Sequence, residues 1–410
     1  MKPVVLFEDE SRFDLLPLAF TRPIQDLRIG IDTIIEKWQR FLPEHKIGSL
    51  TLPYLMPLFG KIFSGEECIF INACILPEQN WINTYINGLA PESGILDSNG
   101  KILAFKGIFP EEWVSGILIS HENTNHLKLE KIQETPNMVL FPWDIFKNNA
   151  TQIKADFEYF CNKGKSAVIN DPHTIMYGKD NVFIEEGAKI KAAIINAESG
   201  PIYIGKNVEI QEGAILHGTH ALYDHSVVNM GAKMRGDSTI GPYCKVGGEV
   251  SNSVFWGYSN KGHDGFLGNS VIGAWCNLGA DTNSSNLKNN YAAVKVWNYP
   301  KKRFIDTGLQ FCGLIMGDHS KCGINTMFNT GTVVGVSANI FGEGFPRTFI
   351  PSFAWGGANG FTTFELNKAF EVAERVMERR KKILTAEDKE LLTHIYNSTS
   401  ENRVWEKQNN

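Results

Sequence analysis

Three features of this sequence have residue types and spacings suited to chemistry. The first is a histidine set among glycines, His263 in K-G-H-D-G at 261–265. A histidine near its ordinary pKa can take a proton from an attacking nucleophile at neutral pH. The structural alternative is a histidine that caps a turn by bonding to backbone. The second is Arg235 in K-M-R-G at 233–236. Its planar fork of donors suits phosphate oxygens, or else it is an ordinary surface arginine. The third is the N-terminal run F-E-D-E-S-R, Phe7 to Arg12. Three acids there would repel a polyphosphate unless a divalent cation or Arg12 intervened.

The composition limits what these groups can serve. The 410 residues carry a net charge of −5, which argues against nucleic acid as a partner, since gripping a phosphate backbone needs a basic face. No run of apolar residues is long enough to span a membrane. The start, MKPVVLFEDES, has too short an apolar stretch for a signal peptide. Seven cysteines form no C-x-x-C pair, which fits reduced thiols in a cytoplasmic protein.

The elements that must position these groups fall into two textures. Residues 1–145 mix apolar runs of strand length (Lys2 to Phe7, Glu67 to Ile71) with a helical pattern from Ile29 to Phe41, where Lys37 falls on the exposed side. That reads as a small α/β domain with a parallel sheet. Residues 146–170 read as a linker helix, with Ile153, Phe157 and Phe160 on one face. From there to about residue 345 a period of six takes over. Ile204, Ile210, Leu216, Leu222, Val228, Met234, Ile240 and Val246 keep one phase, then Phe266, Ile272 and Leu278, then Met316, Cys322, Phe328, Val334 and Ile340. Half of the residues directly after these positions are glycine: 205, 241, 247, 273, 279, 317, 323 and 335. That register decides for a parallel β-helix over a β-sandwich. Three short strands make a coil of about 18 residues, each pointing one apolar side chain at the axis. Glycine beside the inward residue admits the next coil. Two stretches break the phase, Gly248 to Gly265 and Ala280 to Ile315, and long excursions from a solenoid usually carry function. Residues 346–410 read as a cap and a helix from Phe364, with Phe370, Ala373, Val376 and Met377 buried and a solvated basic face.

The stretch SNKGHDGFLGNSVIGAWCNLGADTNSSN, Ser259 to Asn286, resembles the acetyltransferase domain of the bifunctional UDP-N-acetylglucosamine pyrophosphorylase/glucosamine-1-phosphate acetyltransferase family. The layout, with LLPLAFTRPIQDLRIGIDTIIEKW at Leu15 to Trp38, is similar to that family's alternative form. The resemblance implies a shortened nucleotidyltransferase domain followed by a left-handed β-helix, usually a homotrimer. It implies acetyl-CoA-dependent N-acetylation of glucosamine 1-phosphate, then uridylyl transfer from UTP or another nucleoside triphosphate, aided by Mg2+. By resemblance His263 is the general base, and Arg235, Asn277, Asn286 and Phe266 meet the sugar phosphate. Arg12, Arg22 and Arg28 remain to neutralise the nucleotide.

The sequence also departs from that family. Phe266 stands where the family has tyrosine, Leu287 replaces a second tyrosine, and a phosphate-binding lysine expected near Ser251 or Asn252 is missing. The glycine-rich phosphate loop is replaced by Phe7 to Arg12, and the magnesium-holding aspartate by Asn72 or Ala73. A non-catalytic UDP-sugar binding protein is therefore an alternative. A zinc lyase of the γ-carbonic-anhydrase kind is another, invited by His217, His220 and His225, although that family draws its ligands from separated coils.

Overall fold

Val4–Phe7 is a run of four buried apolar residues, the pattern of a strand covered on both faces. This strand, β1, is flanked in parallel by β2 (Ile47–Leu50) and β3 (Glu67–Asn72). The sheet then changes sense. β4 (Ser93–Leu96) and β5 (Ile102–Ile108) form an antiparallel pair, β5 also runs antiparallel to β3, and β6 (Lys128–Lys131) lies parallel to β4. The order β2-β1-β3-β5-β4-β6 is therefore a mixed sheet, not the parallel one expected. The reason is local. Asp97 accepts the amides of Asn99 and Lys101, a turn too short for the crossover a parallel neighbour needs. The expected helix begins later, at Ile34, because Thr33 and Glu36 close a reciprocal capping box there. Lys37 is buried with Ile34 and Trp38, contrary to expectation.

The structure is a computed structural model that describes residues 1–408. It divides into two units. One holds residues 1–27, 32–141 and 386–391; the other holds residues 28–31, 142–385 and those from 392 onward.

The second unit is a parallel β-solenoid with three sheets of eight, nine and ten strands. Ile202 pairs with His220 and His220 with Ser238, one coil apart each time. The first run of sixes, from Ile204 to Val246, lies entirely in the axial core, as does the run from Met316 to Ile340. The glycine register has its expected cause. A Cβ on Gly241 would sit 2.2 Å from the carbonyl oxygen of Trp256, and one on Gly247 would sit 2.4 Å from that of Gly262, both on the next coil.

Both phase breaks differ from their reading in sequence. Gly248 to Gly265 never leaves the solenoid: Val250, Phe255 and Leu267 remain in the core, and Lys261 pairs in register with Val246. The corners are simply shorter, so Leu267 points inward and Phe266 outward, a slip of one from the expected phase. In the second break the coil continues to Ser284, which pairs with Leu267. The chain departs only after that and builds an antiparallel hairpin, Lys295–Asn298 against Arg303–Asp306.

The helix Pro142–Lys163 lies on the nine-stranded sheet, where Ile153 and Phe157 meet Phe183, Tyr203 and Ala221. Residues 28–31 pack against the same helix. Gly30 donates to Asn149 Oδ1 (2.8 Å) and Ile31 to Asp156 Oδ2 (2.8 Å). Gly30 has φ +74°, and a Cβ there would lie 2.4 Å from Asp156 Oδ2. Two helices, Leu366–Glu378 and Ala386–Ser398, follow the last coils. In the first of them Ala369, Ala373 and Met377 are buried, while Phe370 and Val376 are half-buried.

Candidate functional site

The acid-rich turn after β1 neutralises itself. Glu8 is fully buried and pairs with Arg12 at 2.5 Å; it also accepts the amide of Ile24 (2.6 Å) and the hydroxyl of Thr51. Arg12 further donates to the carbonyl of Ala19 and to Tyr54 (3.2 Å). Asp9 caps the following turn through the amide of Ser11 (3.0 Å), and its Oδ2 receives Lys101 (2.6 Å) and the amide of Asn72 (2.8 Å). Burial works against ionising Asp9, but the charge and hydrogen bond of Lys101, with Ser11, hold its carboxyl below the ordinary value.

Asn72 ends β3, where the resemblance expects a magnesium-holding acid; its Oδ1 accepts the amide of Cys74 (3.0 Å). With Asp9 already held by Lys101 and Asn72, these side chains do not fit a magnesium ion. Arg12 is committed to Glu8, and Arg22 is half-buried. Arg28 belongs to the second unit, where its guanidinium lies 4.3 Å over the Tyr223 ring and donates to the carbonyl of Ile31 (2.5 Å). The three arginines therefore do not form one cluster within a unit. Lys101, the cation that does face the turn, escaped the sequence reading because a lone lysine after a hairpin turn carries no motif.

On the solenoid, most of the predicted sugar-phosphate residues gather on the eight-stranded face. Arg235 projects outward and reaches Glu249 on the next coil at 2.9 Å. Glu249 pairs in turn with Phe266. Beyond it the bare Gly268 makes room for two neighbours. A Cβ there would lie 2.6 Å from both the Phe266 ring and the Asn286 side-chain amide. Asn286 donates to Asn269 Oδ1 at 2.8 Å. His263 is exposed on the corner leading into this face, three residues before Phe266. Asn277 stands apart on the ten-stranded face, where it accepts from Asn260 at 3.5 Å.

The other three histidines do not converge. His217 faces outward beside Arg235. His220 is fully buried and its Nε2 accepts the amide of Gly236 (3.2 Å); burial pushes its pKa down to about 4. His225 sits at a corner in the left-handed region (φ 60°), its ring stacked 4.7 Å from Tyr243. Tyr243, Tyr258 and Trp275 continue that stack along the corner. Among the described residues no group of three or more histidines, cysteines or acids is arranged to hold a metal ion. All seven cysteines are free thiols, and only Cys161 is exposed. No helix among the described residues is long and apolar enough to cross a membrane. A cavity of about 310 Å³ opens in the second unit between Trp297, Lys302, Arg347, Phe361 and Trp405, and none of the predicted residues lines it.

Comparison with known proteins bears on the two units unequally. Solved structures similar to the chain include the polySia-specific acetyltransferase NeuO, 14% identical, with 47% of this chain and 82% of that one covered at a TM-score of 0.25. They also include AntD, an N-acyltransferase from Bacillus cereus in complex with dTDP and 3-hydroxybutyryl-CoA. It is 13% identical, with 55% of this chain and 96% of that one covered at a TM-score of 0.22. Scores this low argue nothing about function. No curated protein matches the chain significantly. Residues 4–165 match the family model described as sugar nucleotidyl transferase, and that match bears out the expected transferase class.

Proposed function

We propose that this chain is a transferase of amino-sugar activation whose solenoid N-acetylates glucosamine 1-phosphate from acetyl-CoA. The reading is supported by the juxtaposition of exposed His263 with Arg235, Phe266 and Asn286 around one face, within a stretch that resembles acetyltransferases without a gap. The sugar amine attacks the thioester carbon, and His263 takes the proton released as the N–C bond forms. The thiolate of CoA leaves and can receive that proton. Arg235 offers its donors to the sugar phosphate in exchange for Glu249.

For the N-terminal segment the family match supports uridylyl transfer from UTP to N-acetylglucosamine 1-phosphate with release of pyrophosphate. Positioning and charge neutralisation are the protein's main tasks in such a step. The pairing of Arg12 with Glu8 favours a second reading for this segment, binding of a UDP-sugar without turnover. The cytoplasm is the proposed compartment, consistent with free thiols.

Association as a homotrimer is part of the proposal. On the eight-stranded face Ile175, Ile194 and Ile215 align on successive coils at 49%, 36% and 40% exposure, an apolar stripe suited to another copy. A monomer by sedimentation would overturn it.

Purified protein given acetyl-CoA and glucosamine 1-phosphate is expected to release CoA, and His263→Ala to slow that release by ~10²-fold. An unchanged rate in the variant removes His263 from the role. Pyrophosphate release from UTP plus N-acetylglucosamine 1-phosphate separates transfer from mere binding in the N-terminal segment.

A further inference from the structure

The axial column of the ten-stranded sheet contains Ile210, Val228, Val246, Leu278, Cys322 and Ile340, but one coil breaks it with a lysine. Lys261 occupies the inward position paired with Val246 and is 1% exposed. Solenoid packing alone calls for an apolar side chain there. A buried ammonium costs stability unless every proton finds an acceptor, and here each one does. Nζ donates to the carbonyls of His263 (2.7 Å), Asp264 (3.2 Å) and Gly247 on the preceding coil (3.1 Å).

The neighbouring carbonyl is held as well, since Gly262 accepts the side-chain amide of Asn229 at 2.7 Å. Three successive carbonyls, 262 to 264, are thus taken by the side chains of Asn229 and the inward Lys261, which is how a loop without its own secondary structure is fixed. The charged neighbours of the ammonium are Asp264 and Asp281, with the Cys322 thiol nearby. Burial outweighs them and pushes the lysine pKa down to about 8.

We propose that Lys261 is a positioning residue, retained against the packing preference of the solenoid because it fixes the loop that presents His263. The functional half of this inference rests on His263 acting as the base. A residue kept at a cost to packing beside a candidate site is the pattern expected of function rather than of stability.

Lys261→Met preserves length and apolar fit while removing the donor, and so separates the two roles. The thermal midpoint is expected to stay the same or rise. Amide hydrogen exchange at His263, Asp264 and Gly265 is expected to quicken by about tenfold or more. The kcat for acetyl transfer is expected to fall about tenfold, with KM for acetyl-CoA nearly unchanged. Lys261→Gln, which keeps one donor, should recover part of both effects. Unchanged exchange in the loop overturns the proposal. So does a lower midpoint with faster exchange throughout the coils, which would make Lys261 an ordinary core residue. Exchange is read without turnover: if the wild type releases no CoA, the His263 reading fails while loop protection still decides the role of Lys261.

Discussion

The turn after β1 and the inward positions of the solenoid satisfy buried polar groups in different ways. After β1, acids and bases satisfy one another: Glu8 takes Arg12, and Asp9 takes Lys101. Inside the solenoid, Lys261 and His220 make their hydrogen bonds to main chain instead. Lys261 holds three carbonyls, and His220 accepts the amide of Gly236. The difference follows from architecture. A sheet edge with converging loops brings side chains from distant parts of the sequence together. A coil brings mainly its own backbone and that of the next coil to any inward position. Charge pairing therefore suits the turn after β1 and backbone capping the interior of the coil, while His263 and Arg235 point outward.

The sharpest test of that contrast is Arg12→Met. If Arg12 exists for Glu8, the variant leaves a buried carboxylate unpaired and should lose about 3–5 kcal/mol in denaturant unfolding. Unchanged stability with weakened binding of a UDP-sugar would instead assign Arg12 to a ligand and break the comparison.

The next largest effect concerns His220, whose pKa in the fold lies near 4 against an ordinary value of 6.5. Because the unfolded chain binds the proton more readily, stability is full above about pH 6.5 and is lost as pH falls toward 4. The loss should reach roughly 2–3 kcal/mol near pH 4.5. His220→Gln, which can still accept from Gly236 without titrating, should flatten that part of the unfolding profile; an unaltered slope would exclude His220 as its source.

The smallest effect is expected from Lys101→Met, about 1–2 kcal/mol at neutral pH, because its bond to Asp9 is only partly buried. The Asp9 carboxyl is held below its ordinary 3.8, so the stabilisation exists above that pH and fades as pH falls through the lower folded value. Wild type and variant should then converge in acid. A difference that persists there would place the effect in packing.

Much of the solenoid was legible because its cause is periodic. Each residue counted by sixes from Ile204 to Val246 lies in the core, and glycine marked the close approach of coils, as Gly241 and Gly247 bear out. The phase after Gly248 was misread at Phe266 because shortened corners change the count without changing the coil. In the first unit the strands were legible but not their sense, which depended on the tight turn at Asp97. The candidate site was legible only through resemblance. That reading named Asn277, which the fold sets on another face, and missed Lys101 and Lys261.

Sequence by itself determined the repeat, because an inward apolar residue every six positions and a glycine beside it are local requirements that any stacked coil imposes. It did not determine where the chain leaves the coil, which happens only after Ser284. Only the tertiary structure decided which charges cancel and which stay open. The distance from Glu8 to Arg12 or from Arg235 to Glu249 depends on how a turn closes or how many residues a corner holds. A lysine in a strand reads as surface until the fold shows its ammonium inside, bonded to the loop that carries His263.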